Sequence, residues 1–144
     1  MDAPRLGLVG RSGARAAAWD LSPDLRAPGR ARELTRGELA AWRIADQSDI
    51  DEVVLMVDEL VANAVVHGKG PIHLCLLLEG HLLRGEITDE SFEPPPEPRT
   101  EREFDAEDGR GLLLVAALAA DSGCRTESHG KTVWFTRVLS GLAS

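Results

Sequence analysis

The stretch from Ser48 to Gly68 constrains the fold most, because its apolar side chains recur at helical spacing. Ser48 suits the N-cap of a helix, Asp51 occupies the capping-box position, and Gly68 suits the position just after the helix. Asp49 and Glu52 would lie at the positive end of the helix dipole. The apolar face would comprise Ile50, Val53, Val54, Val57, Val61, Ala64 and Val65. We therefore predict a long amphipathic helix with one broad face in the core.

Three polar side chains on this helix, Glu59, Asn63 and His67, follow one another at four-residue intervals. At about 100° per residue they drift by only about 80° in total, so they form one polar row. One interpretation is a solvent-exposed face and nothing more. Two details favour a binding site: asparagine is a poor helix former, and the row ends at the glycine-led loop Gly68–Pro71. A carboxylate, an amide oxygen and an imidazole in one row would suit a nucleotide and its metal ion.

Composition narrows the class of protein. With 144 residues, of which 43% are hydrophobic, the chain is expected to form one globular domain. Its formal net charge of −8 argues against nonspecific nucleic-acid binding, and 4% aromatic residues leave little for a base-stacking surface. No apolar run has the length of a membrane span, and no signal peptide is visible. We expect a cytoplasmic protein without direct contact to nucleic acid or membrane.

The two cysteines, Cys75 and Cys124, lack the spacing of metal ligands. They are expected to be buried or half-buried apolar side chains. The other reading is a disulfide between them, which a reducing compartment disfavours.

The rest of the chain divides into short elements. Residues 1–13 lack periodicity and are expected to form a flexible leader, and residues 140–144 a frayed tail. Residues 14–139 are predicted to form the domain, beginning with an edge strand at Ala14–Leu21 and a helix from about Pro28 to Trp42. Two hairpins are predicted from alternating apolar residues and short glycine-containing links. They comprise residues 72–78 with 82–88, and residues 124–128 with 131–139.

Asp89 directly follows the first hairpin, and the proline-rich, acidic segment 90–108 after it has no apolar period. Such a segment is either a surface insertion or a functional lid, and its flanks favour a lid. After it, Gly109–Gly111 opens a helix predicted at Leu112–Ala120, which is apolar nearly all round and therefore expected to be well buried. Glycines at a helix N-terminus let exposed N–H groups meet a phosphate, although the same pattern also makes simple turns.

Three phrases then stand out in order: Glu-Leu-Val-Ala-Asn-Ala-Val-Val-His-Gly at 59–68, Gly-Arg-Gly-Leu-Leu-Leu-Val at 109–115, and Gly-Lys-Thr-Val-Trp at 130–134. With the intervening hairpin and lid, this order resembles the GHKL (histidine kinase-like) ATPase superfamily. Within it, the chain looks most like the anti-sigma-factor serine kinases, in the regulatory branch abundant in actinomycetes. The resemblance runs from about residue 14 to residue 138. It implies the Bergerat fold, a two-layer α/β sandwich in which a mixed, mostly antiparallel sheet is covered on one face by about three helices.

The resemblance also implies roles for individual residues and the cofactors ATP and Mg²⁺. Asn63 matches the asparagine that ligates Mg²⁺, and Glu59 matches the glutamate that acts as general base. Asp89 matches the aspartate that accepts a hydrogen bond from the adenine amino group. His67 occupies a histidine position at the helix end, where it either supports the pocket rim or is only structural. The implied phosphate-binding turn comprises Gly109, Arg110, Gly111 and Leu112.

The sequence departs from the family pattern after Asp89 and in the lid, which is proline-rich and acidic and lacks the Thr-Thr-Lys type of sequence seen in some relatives. The usual Asp-x-Gly-x-Gly motif reads Asp89-Glu90-Ser91-Phe92-Glu93, so Ser91 and Glu93 replace the glycines that let backbone lie close to the base. In the last hairpin, Lys131 and Thr132 both compete for a position at which a threonine often contacts the adenine site. Neither is assigned to it.

Several functions are compatible with this resemblance. The first is a kinase that phosphorylates a serine on an anti-anti-sigma partner and sequesters a sigma factor. The second is an ATP-binding switch module that acts by protein contact without phosphotransfer. A simple ATP hydrolase is less favoured, and so is a histidine autokinase, since no dimerisation helices precede the domain. A homodimer is left open.

Overall fold

The computed structural model describes residues 8–9, 14–94 and 107–140. Within these ranges the elements follow the predicted order, with one strand more than the sequence predicted. They are β1 (Leu8–Val9), β2 (Arg15–Leu21), α1 (Ala27–Ala41), α2 (Gln47–His67), β3 (Ile72–Glu79), β4 (Leu82–Asp89), α3 (Glu107–Leu118), β5 (Asp121–Glu127) and β6 (Gly130–Val138). The extra strand, β1, lies in the segment predicted as a leader. The other residues of that segment, and residues 141–144 of the predicted tail, lie outside the described ranges.

The strands form one sheet in the order β1-β2-β3-β4-β6-β5. Every pairing between the described strands is antiparallel, so the sheet is antiparallel rather than mixed. The strand β2, predicted at an edge, instead lies between β1 and β3, with Leu8 opposite Ala16 and Leu74 opposite Trp19. The predicted two-layer α/β sandwich is confirmed, with the helices on one face of this sheet.

The core lies between that face and α2. Buried and more exposed residues alternate along β3, where Leu74 and Leu76 are fully buried while His73 and Glu79 are exposed. This period of two is what a sheet with one covered face requires. The largest fully buried side chains are Phe135, Leu39, Met56, Ile72, Leu74, Leu76, Leu83 and Ile87. The core is therefore built from alternate strand residues and the apolar stripe of the helices.

The helix α2 forms as predicted, but its ends differ in detail. Its N-cap is Asp46, whose carboxylate accepts a hydrogen bond of 2.9 Å from the backbone N–H of Asp49, so the prediction of Ser48 as N-cap is wrong. Gly68 caps the C-terminus with φ −88°, an extended conformation rather than the left-handed one expected of a glycine after a helix. Met56 and Leu60 also belong to the buried face, which is wider than predicted.

The helix α3 begins at Glu107, so the glycines at 109 and 111 lie inside its first turns and the segment between β4 and α3 is shorter than the predicted lid. Leu112 and Val115 are buried, whereas Ala116 and Ala117 are exposed. The prediction that this helix is buried all round is therefore wrong. One face packs against α2 and β5, and alanine tolerates exposure on the other.

Cys75 is half-buried, Cys124 is exposed, and both thiols are free. The prediction of free thiols is confirmed, although Cys124 is less buried than expected. Across the part of the chain that is described, none of the helices is both long and apolar enough to cross a membrane.

Candidate functional site

One cavity lies where α2 and α3 face the strands β4 and β6. Its empty space is about 310 Å³, a volume that includes some of the open solvent at its mouth. Its lining residues are Leu60, Asn63, Ala64, His67, Ile87, Asp89, Leu112, Lys131 and Val133. The structure thus brings together four residues that the sequence singled out in three separate segments: Asn63, His67, Asp89 and Leu112.

Asp89 supplies the carboxylate among the described residues that line the cavity. It is the last residue of β4, and its side chain is only 2% exposed. Its Oδ1 accepts a hydrogen bond of 2.7 Å from the backbone N–H of Ser91. Its two oxygens also lie 3.2 and 3.1 Å from the Lys131 Nζ. A buried charge is tolerated only with such partners, so Asp89 and Lys131 each offset the cost of burying the other.

Lys131 is a cavity residue that the sequence left undecided between two neighbours. Its side chain is 5% exposed and lines the cavity, directly opposite Asp89 in the register of β4 and β6. The competing residue, Thr132, places its Oγ1 2.7 Å from that of Thr88 and does not line the cavity. The signal that would have separated them is the register of β6 against β4, since neighbouring residues of a strand point to opposite faces.

Two glycines allow Asp89 to sit where it does. A Cβ added to Gly68 would lie 2.5 Å from the Ala64 carbonyl oxygen and 2.6 Å from the Asp89 Oδ2. A Cβ added to Gly130 would lie 1.9 Å from the Asp89 carbonyl oxygen. All three distances are well inside van der Waals contact. The glycine at the end of α2 is therefore needed for close packing against Asp89 rather than for a left-handed backbone.

Asn63 presents an unsatisfied polar atom to the cavity. Its Nδ2 is buried and has no hydrogen-bond partner among the described residues. Buried polar groups are rarely left unpaired, and such exceptions point to a ligand, an ion or water. The side-chain oxygen of the same amide is a suitable ligand for Mg²⁺, which commonly takes one or two protein oxygens and several from phosphates. The residue therefore fits a site for a metal-bound phosphate compound.

Glu59 lies one helical turn before Asn63, at the contact between α2 and α3. A Cβ added to Gly111 would lie 2.5 Å from the Glu59 Oε2, so the carboxylate is next to the first turns of α3. Glu59 does not line the cavity itself. Gly109 and Arg110 belong to the same first turns of α3 by their backbone. The predicted phosphate-binding turn and Glu59, the predicted general base, thus lie next to each other where α3 contacts α2.

The comparisons with known proteins identify the family. A family model described as histidine kinase-like ATPase domain matches residues 21–137. This chain belongs to the histidine kinase-like ATPase domain family. Membership in that family implies ATP binding, and it confirms the resemblance to the GHKL superfamily. No curated protein matches the chain.

Among solved structures, this histidine kinase-like ATPase domain is similar to the crystal structure of the RsbU and RsbW domains of Rv1364c from Mycobacterium tuberculosis. The TM-score is 0.65 and the sequence identity is 24%. The match covers 98% of this chain and 34% of the other, so the chain spans about a third of that protein. At this identity the likeness establishes the shared fold.

The cavity of this ATPase domain is narrow. Its enclosed part leaves room for about one water molecule, whereas small-molecule pockets typically span about 300–1,000 Å³. A nucleotide therefore requires the described walls of this cavity, on α2, α3, β4 and β6, to move apart. Ser91 is 2% exposed and its Oγ accepts a hydrogen bond of 3.1 Å from the Glu93 N–H, so the first residues after Asp89 form a closed turn.

Proposed function

We propose that this protein is an ATP-binding regulator of the anti-sigma type that phosphorylates a serine or threonine on an anti-anti-sigma partner. The observation that carries the proposal is the convergence of Asn63, Asp89 and Leu112 on one cavity, with Glu59 beside the start of α3. The similarity to a structure that contains an RsbW domain supports the same class of regulator. A sigma factor is the second proposed partner, and the cytoplasm is the proposed location.

The proposed reaction assigns one task to each group. The adenine ring of ATP binds at the Asp89 end of the cavity. The phosphates lie toward the N-terminus of α3, where the helix dipole and the N–H groups of the first turn favour negative charge. Glu59 orients the hydroxyl of the partner and accepts its proton as the oxygen attacks the γ-phosphorus. The bond to the β–γ bridging oxygen breaks, and ADP leaves. Asn63 would hold Mg²⁺, which supplies charge neutralisation for the phosphates.

A second function is favoured by a specific observation at Asp89. Its carboxylate already has Lys131 and the Ser91 N–H as partners, and the cavity beside it is nearly closed. In a site of this kind the nucleotide would bind weakly. The protein would then act as a switch module that sequesters its partner without phosphotransfer.

Phosphotransfer separates the two functions. The protein is incubated with γ-labelled ATP, Mg²⁺ and candidate anti-anti-sigma domains, and label on the partner is measured. The kinase predicts label on a partner serine or threonine that falls by at least about 10²-fold in Glu59→Ala, the usual contribution of a general base. A stable complex without label in the parent protein contradicts the kinase and supports the switch module.

Asp58→Asn is the matched control for Glu59→Ala. This substitution also removes a carboxylate from α2, one residue before Glu59. The Asp58 carboxylate, however, accepts a hydrogen bond of 2.8 Å from Arg32 of α1. Transfer should be unchanged in this variant. Equal losses in both variants would mean that labelling reflects the stability of α2 rather than a base at position 59.

A further inference from the structure

The side of α2 that faces away from the sheet carries a short apolar stripe. Leu55 and Val66 are 36% and 70% exposed, and Ala62 between them is half-buried. At about 100° per residue, these three side chains fall within about 40° of one another around the helix axis. Single exposed apolar side chains are common on protein surfaces, but three aligned on one helix face mark a candidate contact surface.

Glu59, the predicted general base, borders this stripe. It lies about 40° around the helix from Leu55, on the side of Asn63 and the cavity. Leu55 and Ala62 are its neighbours four residues before and three residues after, and residues at these spacings are adjacent on a helix surface. Glu59 does not line the cavity, so a hydroxyl reaches it from the surface beside the stripe.

A fourth apolar side chain, that of Leu25, extends the stripe at its C-terminal end. The helices α1 and α2 run antiparallel, because Arg32 donates a hydrogen bond to Asp58 while Arg36 donates one to Asp51. The residues just before α1 therefore lie at the same end of the helix pair as the last turn of α2. Leu25 is one of these residues, and it is 90% exposed.

The charge of the two helices restricts what can cover this surface. Together α1 and α2 contain seven acidic and three basic residues, and α2 alone contains no Lys or Arg. Two copies of the chain that met through the stripe would bring like charges together, which disfavours their association. A protein with an apolar surface rimmed by Lys or Arg would complement both the stripe and its charge.

We infer that this stripe is the docking surface for the protein that carries the acceptor serine or threonine. The inference rests on the proposed function, since it places the docked partner next to the general base of that reaction. Leu55, Ala62 and Val66 contact an apolar surface of the partner, and basic residues of the partner face the acidic side chains of α2. The acceptor hydroxyl then lies beside Glu59, at the contact between α2 and α3.

The test measures binding and phosphotransfer with the anti-anti-sigma domains used above. Leu55→Gln combined with Val66→Gln keeps helix-compatible side chains but removes the apolar surface. The dissociation constant and the KM for the domain should rise at least about tenfold, because a few apolar anchors carry most of the energy of an interface. The kcat at saturating domain should stay within about threefold of the parent value, since Glu59 is intact.

Leu82→Gln combined with Val138→Gln is the matched control. These two side chains are 46% and 63% exposed and lie opposite each other on β4 and β6, on the sheet face away from the helices. Binding and KM should remain within about threefold of the parent values. The rise in melting temperature with Mg·ATP should be the same in the parent and both double variants, which shows that the nucleotide site is intact.

The outcomes are distinguishable. If the parent neither binds nor labels any domain, the proposed function fails and the inference fails with it. A domain that binds without label contradicts the kinase, and its dissociation constant still decides the docking surface. If both double variants bind like the parent, or lose binding equally, the inference alone is overturned.

Two further measurements complete the test. A parent dimer in sedimentation velocity that Leu55→Gln with Val66→Gln dissociates would assign the stripe to a second copy and overturn the inference. Should that double variant not fold, Leu55→Ala with Val66→Ala is used, and the same rise in the dissociation constant is expected.

Discussion

The Cα of Gly111 lies directly against the carboxylate of Glu59. A Cβ added at Gly111 would be 2.5 Å from the Glu59 Oε2 and 3.3 Å from its Cδ, so α3 meets α2 with no space for a methyl group. This contact sets the position of the carboxylate relative to the N-terminus of α3. The position of the predicted general base, Glu59, and the position of the predicted phosphate-binding turn therefore depend on each other.

The first prediction concerns Gly111→Ala. The added methyl group displaces a flexible carboxylate rather than backbone, and alanine gains about 1 kcal/mol of helix propensity over glycine. Stability measured by urea denaturation should therefore change by less than about 1 kcal/mol, while phosphotransfer falls at least about tenfold because Glu59 moves. Gly37→Ala in α1, where a Cβ meets nothing within 4 Å, should gain stability and keep its activity. Full transfer by Gly111→Ala would contradict the assigned role of this contact.

The second prediction compares two hairpin glycines. Gly80 has φ 62° and a Cβ there meets nothing within 4 Å, whereas Gly130 has φ 158° and its Cβ would lie 1.9 Å from the Asp89 carbonyl oxygen. Gly80→Ala should lower the free energy of unfolding by about 1–2 kcal/mol, the strain of a left-handed residue. Gly130→Ala should lower it by at least about 2 kcal/mol more, because backbone must move. Equal losses in denaturant titrations would exclude the close approach to Asp89.

The third prediction concerns the ion pair that fixes the start of α2 to the end of β6. The Asp49 carboxylate is fully buried, and it accepts bonds of 3.0 and 3.1 Å from Arg137 and of 2.8 Å from the Ser140 N–H. Arg137→Met leaves this carboxylate without its cation and should lower the free energy of unfolding by about 3 kcal/mol. Arg36→Met breaks an exposed pair with Asp51 and should have an effect below about 1 kcal/mol. Similar losses in the two variants would argue against a buried charge at position 49.

The fourth prediction is a pH dependence on the open face of the sheet. Burial would raise the pKa of Glu86, but hydrogen bonds from Arg84 and Arg125 outweigh burial and hold that pKa below its usual value. A carboxylate with a lowered folded-state pKa stabilises the fold above its unfolded pKa of about 4.3, and this contribution is lost as the pH falls through the folded pKa. Glu86→Gln should therefore be less stable than the parent by about 1 kcal/mol at neutral pH. The difference should shrink at the acid end of a pH series of denaturant titrations, and a constant difference would contradict the ion pair.

The sequence predicted the order of elements well, for physical reasons visible in particular residues. Ile72, Leu74 and Leu76 recur at every second position, so they share one buried face only if the segment is a strand. The apolar residues from Val53 to Ala64 recur every three to four positions, so they share one face only if the segment is a helix. Asn63 was singled out by its place in a polar row at four-residue spacing and Asp89 by its place before the proline-rich segment, and the resemblance supplied their roles. Their convergence on one cavity depends on tertiary packing, which the spacing of residues does not contain.

The misses also have identifiable causes. Asp46 and Ser48 are both good N-caps, and propensity does not rank them. The burial of α3 was overestimated because alanine is compatible with core and solvent alike, as Ala116 and Ala117 show. Lys131 was left undecided because a slip of one residue in the β4–β6 register would exchange the faces of Lys131 and its neighbour.

The most direct test of the account is the melting temperature of the protein with and without Mg·ATP. A ligand that binds only the folded state stabilises it by about 2.7 kcal/mol at about a hundredfold excess over its dissociation constant, which corresponds to a rise on the order of 5 °C or more. We predict such a rise for the parent and for Gly37→Ala, and a clearly smaller one for Asn63→Ala and Asp89→Asn. No rise in the parent, or an equal rise in all four proteins, would contradict a nucleotide site between Asn63, Asp89 and the start of α3.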